Sequence, residues 1–275
     1  MMGVTLFPML AVAVATGLQI NTERDGSVSV SCRESFALTR ADYEKIGQIR
    51  GVKTLTLYNK CSLTDETLAL LTGLDQVEKV GIDGARFTDD GMKHMAGWTN
   101  LRQLTFFHIL NKDKFTGAGV AHLAGLPRLE SFGCGGSSFT DAGMAAVARL
   151  PRLTELRVWH TLVTDAGVVC LTNTTLRRLR LAPQFLPRIT EAVLPHIAAI
   201  QSLESLSLGE MKLTWNGGLK HLKSLPKLKE LELDLVVISD ADLARLKTEM
   251  PDVKVSVKPP DEKQRGQIER NWEKK

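Results

Sequence analysis

A chain of 275 residues in which 35 Lys and Arg stand against 31 Asp and Glu has a formal net charge of only +4, too little for a field that gathers nucleic acid or an anionic membrane surface. Aromatic residues make up 5%, so the core is expected to come from Leu, Val and Ile. The four cysteines, Cys32, Cys61, Cys134 and Cys170, form no Cys-x-x-Cys pair and have no His at zinc-finger spacing, so no metal site and no cofactor is expected on them.

Residues 3 to 20 are apolar and uncharged. Their length and the Ala-Val-Ala series fit a secretory signal, although no Lys or Arg precedes them. The rival reading is a hydrophobic cap over the open end of a repeat array. Localisation follows the choice: exported to the periplasm, envelope or medium in the first case, cytoplasmic in the second. Cys32 and Cys61 can pair only if the protein is exported. No other segment approaches the ~18 to 20 apolar residues of a stable membrane span.

From residue 39 onward a threonine returns every 24 to 28 residues: Thr39, Thr64, Thr88, Thr116, Thr140, Thr164, Thr190, Thr214 and, by substitution, Ser239. A fixed period of this length means a solenoid whose units stack because none holds a core alone. Within residues 151 to 174, Leu156 and Val158 alternate with Glu155, Arg157 and Trp159, which predicts a strand with one buried face. Val168 and Leu171 follow at helical spacing after Thr164 and Asp165, which predicts a helix of two to three turns capped by the threonine hydroxyl. The acidic residue after the threonine (Asp65, Asp89, Asp141, Asp165, Glu191, Asp240) is expected to favour the helix dipole. Gly91, Gly119, Gly143, Gly167 and Gly217, three residues after the threonine, are expected to permit close packing.

The strand positions Leu101, Leu104 and Phe106, Leu153, Leu156 and Val158, Leu176, Leu179 and Leu181, Leu203, Leu206 and Leu208, and Leu228, Leu231 and Leu233 spell Leu-x-x-Leu-x-Leu. With the Thr-Asp-x-Gly helix starts, the chain resembles leucine-rich-repeat proteins of the bacterial, ribonuclease-inhibitor-like subgroup. The resemblance implies an α/β horseshoe with a parallel sheet on the concave face and short helices on the convex face. The chain divides into a possible signal peptide or cap at 1–19, a capping repeat at 20–50, repeats at 51–258 and a charged tail at 259–275. Ala85, Ser137 and Thr161 stand where the family often places Asn or Cys after the strand. The repeat has four extra residues within 107 to 115 and two within 182 to 189, and such insertions emerge on one edge and often border a binding face. The tail reads as a short polar cap or a disordered end.

Catalytic motifs are missing from this pattern. The sequence has no Gly-x-Ser-x-Gly elbow, no phosphate-cradling Gly-x-x-x-x-Gly-Lys and no His-Glu-x-x-His, so an enzyme is not expected. His94, His122, His196 and His221 recur at one place in the repeat, but neighbouring helices lie roughly 8 to 10 Å apart, too far for one ion with ~2.0 Å Zn–N bonds. The outward strand positions are more informative. Phe107 and Trp159 flank Ser131, Gly133 and Gly135, which predicts a shallow notch with aromatic walls and with Glu155, Arg157, Arg178 and Arg180 beside it. Exposed aromatics and Arg are enriched in binding hot spots, so the expected partner is a protein or peptide on the concave face. The rivals are an envelope-associated scaffold with no selective partner and a binder of anionic ligands through the arginines.

Overall fold

The computed structural model describes residues 17–32, 38–58 and 63–274. The expectations for residues 1 to 16 and for pairing through Cys61 fall outside them. Alternation of inward aliphatic and outward polar residues produces the strands β1 (Leu18–Thr22), β2 (Val28–Cys32), β3 (Val52–Leu57), β4 (Lys79–Asp83), β5 (Gln103–Phe107) and β6 (Ser131–Gly135). The same pattern continues through β7 (Glu155–Trp159), β8 (Arg178–Ala182), β9 (Ser205–Gly209), β10 (Glu230–Asp234) and β11 (Lys254–Lys258). All eleven form one sheet in chain order. From β2 onward each strand is parallel to the next, whereas β1 pairs antiparallel with β2. The expected boundary after residue 19 therefore falls inside a strand, since Leu18 pairs with Cys32 and Gln19 with Ser31.

Behind the sheet run α1 (Arg40–Gln48), α2 (Asp65–Leu68), α3 (Asp141–Val147), α4 (Asp165–Val169), α5 (Leu194–Ile197) and α6 (Asp240–Glu249). Short 3-10 turns at Asp90–Met95, Ala118–Leu123 and Leu219–Ser224 take the same place in other repeats. α4 spans five residues, shorter than the predicted two to three turns. The inward strand positions make two buried columns, such as Leu104, Phe132, Leu156 and Leu179 beside Phe106, Cys134, Val158 and Leu181, none more than 2% exposed. Phe87, Phe106, Phe115 and Phe132 meet edge to face at centroid separations of 5.2 to 6.3 Å, a favoured aromatic geometry that fills the core beside the longest repeat.

The threonine hydroxyls make the expected caps at several repeats, from Thr39 to Ser239, and the acidic ladder adds a second partner that was not expected. Asp65 accepts from Thr88 N and Oγ1, both at 2.7 Å; Asp141 accepts from Thr164 N and Oγ1 at 2.8 and 2.7 Å. Asp165 and Glu191 hold Thr190 and Thr214 in the same way. Each carboxylate thus clamps the next repeat. The hydroxyls of Thr88, Thr164 and Thr190 also accept from a backbone N–H in the first turn, at 3.2 to 3.3 Å, longer than the bonds to the carboxylates. Thr140 does not cap, and its N and Oγ1 both turn to Thr116 O. Its preceding repeat has Gly117 where the acid would be.

After the strands the turn is satisfied by backbone. Gly84, His108, Gly136 and His160 adopt positive φ, and their N–H groups donate to the last carbonyl of the following strand at 2.8 to 3.1 Å. Leu110 N and Leu162 N then donate to Ala85 O and Phe139 O, so no Asn is needed in this turn.

The tail is ordered as a helix, not a disordered end. It forms α7 (Glu262–Glu273), started by a capping box between Asp261 and Gln264. Ile268 is fully buried, Trp272 packs on the core, and Asn271 Nδ2 donates to Phe185 O at 2.8 Å. The insertion at 182 to 189 thus serves as a dock for α7.

Candidate functional site

Parallel pairing aligns the outward residues into rows across the concave face. Lys79, Gln103, Ser131, Glu155 and Arg178 form one row; Gly81, Thr105, Gly133, Arg157 and Arg180 the next; Asp83, Phe107, Gly135, Trp159 and Ala182 the third. The structure therefore brings Phe107, Glu155, Arg157, Trp159, Arg178 and Arg180 onto one patch spanning β5 to β8.

The expected notch is filled. Trp159 leans back over β6 and stacks on Phe107, with ring centroids 5.7 Å apart and planes inclined by 29°. The glycines of β6 make this possible: a Cβ on Gly135 would sit 2.0 Å from Trp159 Cε2. Both aromatic residues remain half-buried, so they form a raised aromatic plate where the bare sequence suggested walls around a hollow.

The arginines are tied to carboxylates. Glu155 lies 3.5 Å from both Arg157 Nε and Arg178 Nη2, while Arg180 Nη2 reaches Asp234 at 3.6 Å beside Lys258 at 3.4 Å. Arg157 crosses the glycine strand and donates from Nη2 to Thr105 Oγ1 at 3.3 Å. Exposed pairs at these distances contribute little stability, about 0 to 1 kcal/mol, and they leave the guanidiniums able to exchange partners.

Next to the plate is a depression of about 380 Å³ lined by Thr56, Tyr58, Lys79, Gly81, Gln103, Thr105, Ser131, Glu155 and Arg157. Tyr58, 46% exposed, leans over Gly81, whose ideal Cβ position lies 3.2 Å from the phenol oxygen. Sequence reading passed over this hollow because its floor residues are individually unremarkable in type, though the run of small outward side chains at 56, 81, 105 and 131 was its signal.

Elsewhere the chemistry is quiet. Burial pushes the Cys134 thiol up to about 12 despite its contact with Ser137 Oγ at 3.1 Å, so it stays protonated and unreactive at neutral pH. Among the described residues no group of three or more His, Cys, Asp or Glu is placed to hold a metal ion, and no helix is long and apolar enough to cross a membrane.

No family model matches the chain, and no curated protein does. Among solved structures it is similar to an internalin (inlF) from Listeria monocytogenes, with a TM-score of 0.56 and 16% sequence identity over 88% of this chain and 70% of that one. Identity this low speaks to fold alone, and with the eleven-stranded sheet and its short convex helices it shows an α/β leucine-rich-repeat solenoid.

Proposed function

We propose that the chain is a non-catalytic recognition module that binds a protein or peptide on its concave face, and that it belongs with the repeats of Thr-Asp-x-Gly helix start. Leucine-rich-repeat folds commonly serve such interactions, and the observation that carries the reading here is the Phe107–Trp159 plate. Two half-buried aromatic rings stacked over a glycine strand, on a face otherwise made of polar and charged side chains, form a preorganised apolar surface. Arg157 and Arg180 border it, and Glu155 and Arg178 frame it. The face also suits a macromolecule by size, since strands about 4.8 Å apart spread it over several tens of ångströms.

Desolvated aromatic and Arg anchors typically cost ~2 kcal/mol or more when truncated. Trp159→Ala and Arg157→Ala should therefore each weaken a partner captured from the native host at least about tenfold, with Lys254→Ala near neutral and thermal melting confirming that each variant is folded. Undiminished capture by a folded Trp159→Ala, Arg157→Ala double variant would move the site off this patch, to the inserted loop at 108 to 114, and the absence of any selective capture by the wild type would favour the scaffold reading. Binding that collapses between low and moderate salt would favour an anionic ligand held mainly by charge.

A further inference from the structure

We propose that the depression between Tyr58 and Arg157 is a subsite for a side-chain carboxylate of an acidic peptide partner; this rests on the concave face being a protein-binding surface. Its lining holds two cations, Lys79 and Arg157, against one carboxylate, with hydroxyl and amide groups that can donate as well as accept. Lys79 is exposed and, among the described residues, has no ion pair, and the side chains of Thr56, Gln103 and Ser131 make no hydrogen bond there. Glu155 is the one carboxylate in the lining and is shared between Arg157 and Arg178. Within the lining Lys79 and Arg157 stand against Glu155 alone, a surplus of one positive charge, and Arg178, outside the lining, draws on the same carboxylate.

Arg157 is itself short of acceptors. Its hydrogen bond to Thr105 Oγ1 is long, at 3.3 Å, and its buried Nε faces Glu155 at 3.5 Å without making a hydrogen bond, although a guanidinium carries five donors. Reaching across to Thr105 places the guanidinium over β5, next to the strand that carries Lys79. Adjacent strands are about 4.8 Å apart, so a carboxylate seated over Thr105 and Gln103 lies within reach of both cations, and charge-assisted bonds of this kind are roughly twice as strong as neutral ones. Gly81 and Ser131 keep the floor low, and Tyr58 offers an aromatic wall for the aliphatic stem. A peptide source is favoured over a free anion because the aromatic plate adjoins the hollow and can hold neighbouring side chains of the same segment.

The test is an NMR titration of the full chain with the blocked peptide Ac-Gly-Glu-Glu-Gly-amide, its Gln counterpart, sodium acetate and inorganic phosphate. The Glu peptide should give saturable shifts at the amides of Gly81, Thr105 and Ser131, at least about fivefold tighter than the Gln peptide and than acetate. Lys79→Ala should weaken it at least about fivefold, Lys79→Arg should restore most of that, and Lys254→Ala should leave it unchanged. Equal binding of the Gln peptide, tighter binding of phosphate, or no saturable shift at those amides would each overturn the subsite. If the subsite fails while Trp159→Ala still abolishes partner capture, the concave-face reading stands without it; loss of neither partner capture nor peptide shifts in Trp159→Ala removes the plate and keeps the hollow.

Discussion

At the scale of single residues, the Thr-Asp-x-Gly phrase is an inter-repeat clamp, and its glycine is part of the clamp. A helical Gly→Ala change ordinarily stabilises by about 1 kcal/mol. Here a Cβ on Gly91 would sit 2.0 Å from Asp65 Oδ1, and one on Gly167 2.3 Å from Asp141 Oδ1, so steric conflict outweighs the propensity gain. The strongest clamp is Asp89, whose carboxylate accepts from Thr116 N and Oγ1, Gly117 N and Gly119 N. Removing it strands several part-buried donors, each worth ~1 kcal/mol or more. Asp89→Ala should therefore lower unfolding free energy by about 2 to 3 kcal/mol in denaturant titration, more than Asp141→Ala, while Thr140→Ala, which breaks no cap and only one long bond to Thr116 O at 3.2 Å, should cost about 1 kcal/mol or less. Equal costs for the three would show that the carboxylates do not bridge repeats. The recurrence of Thr and Asp is legible in the sequence, but the direction of the bond is not. Asp89 is one residue from Thr88 and 27 from Thr116, and only stacking decides that the distant threonine is the partner.

Among the elements, strands are read most directly from sequence and the tail least. Period-two alternation belongs to a strand whatever surrounds it, so outward residues from Thr54 to Lys258 fall where alternation places them. Helices α1, α3 and α6 reach the expected two to three turns, whereas α4 stops at five residues. The end of the chain hides its helix behind charge: Ile268 and Trp272, one helical turn apart, are the apolar stripe, and Asp261 with Gln264 is its start signal. Ile268 is fully buried, and deleting a buried Ile side chain down to Ala costs about 2 to 5 kcal/mol. Ile268→Ala should release α7 from the Phe185 loop, seen as lost amide-exchange protection over residues 262 to 273 while protection in β5 to β8 persists. Unchanged protection in α7 would mean that Asn271 and Trp272 hold it without Ile268.

On the scale of the whole molecule, one continuous core supports a long, firm sheet, and the sheet lays its large outward side chains across neighbouring strands. The patch could be listed from sequence because strand register is regular. Its shape could not, because side-chain lean decides it: Trp159 over Gly135, Arg157 towards Thr105, Arg180 towards Asp234. A photo-crosslinking amino acid placed at Arg178, beside the aromatic plate and largely exposed, and in a second variant at the exposed Val169 of α4 on the opposite side, tests most directly which face recognises a partner. If the concave face is the binding surface, irradiation in an extract of the native host should yield a discrete protein adduct from position 178, competed by unlabelled wild type, and none from position 169. An adduct from 169 with none from 178 would contradict the concave-face reading.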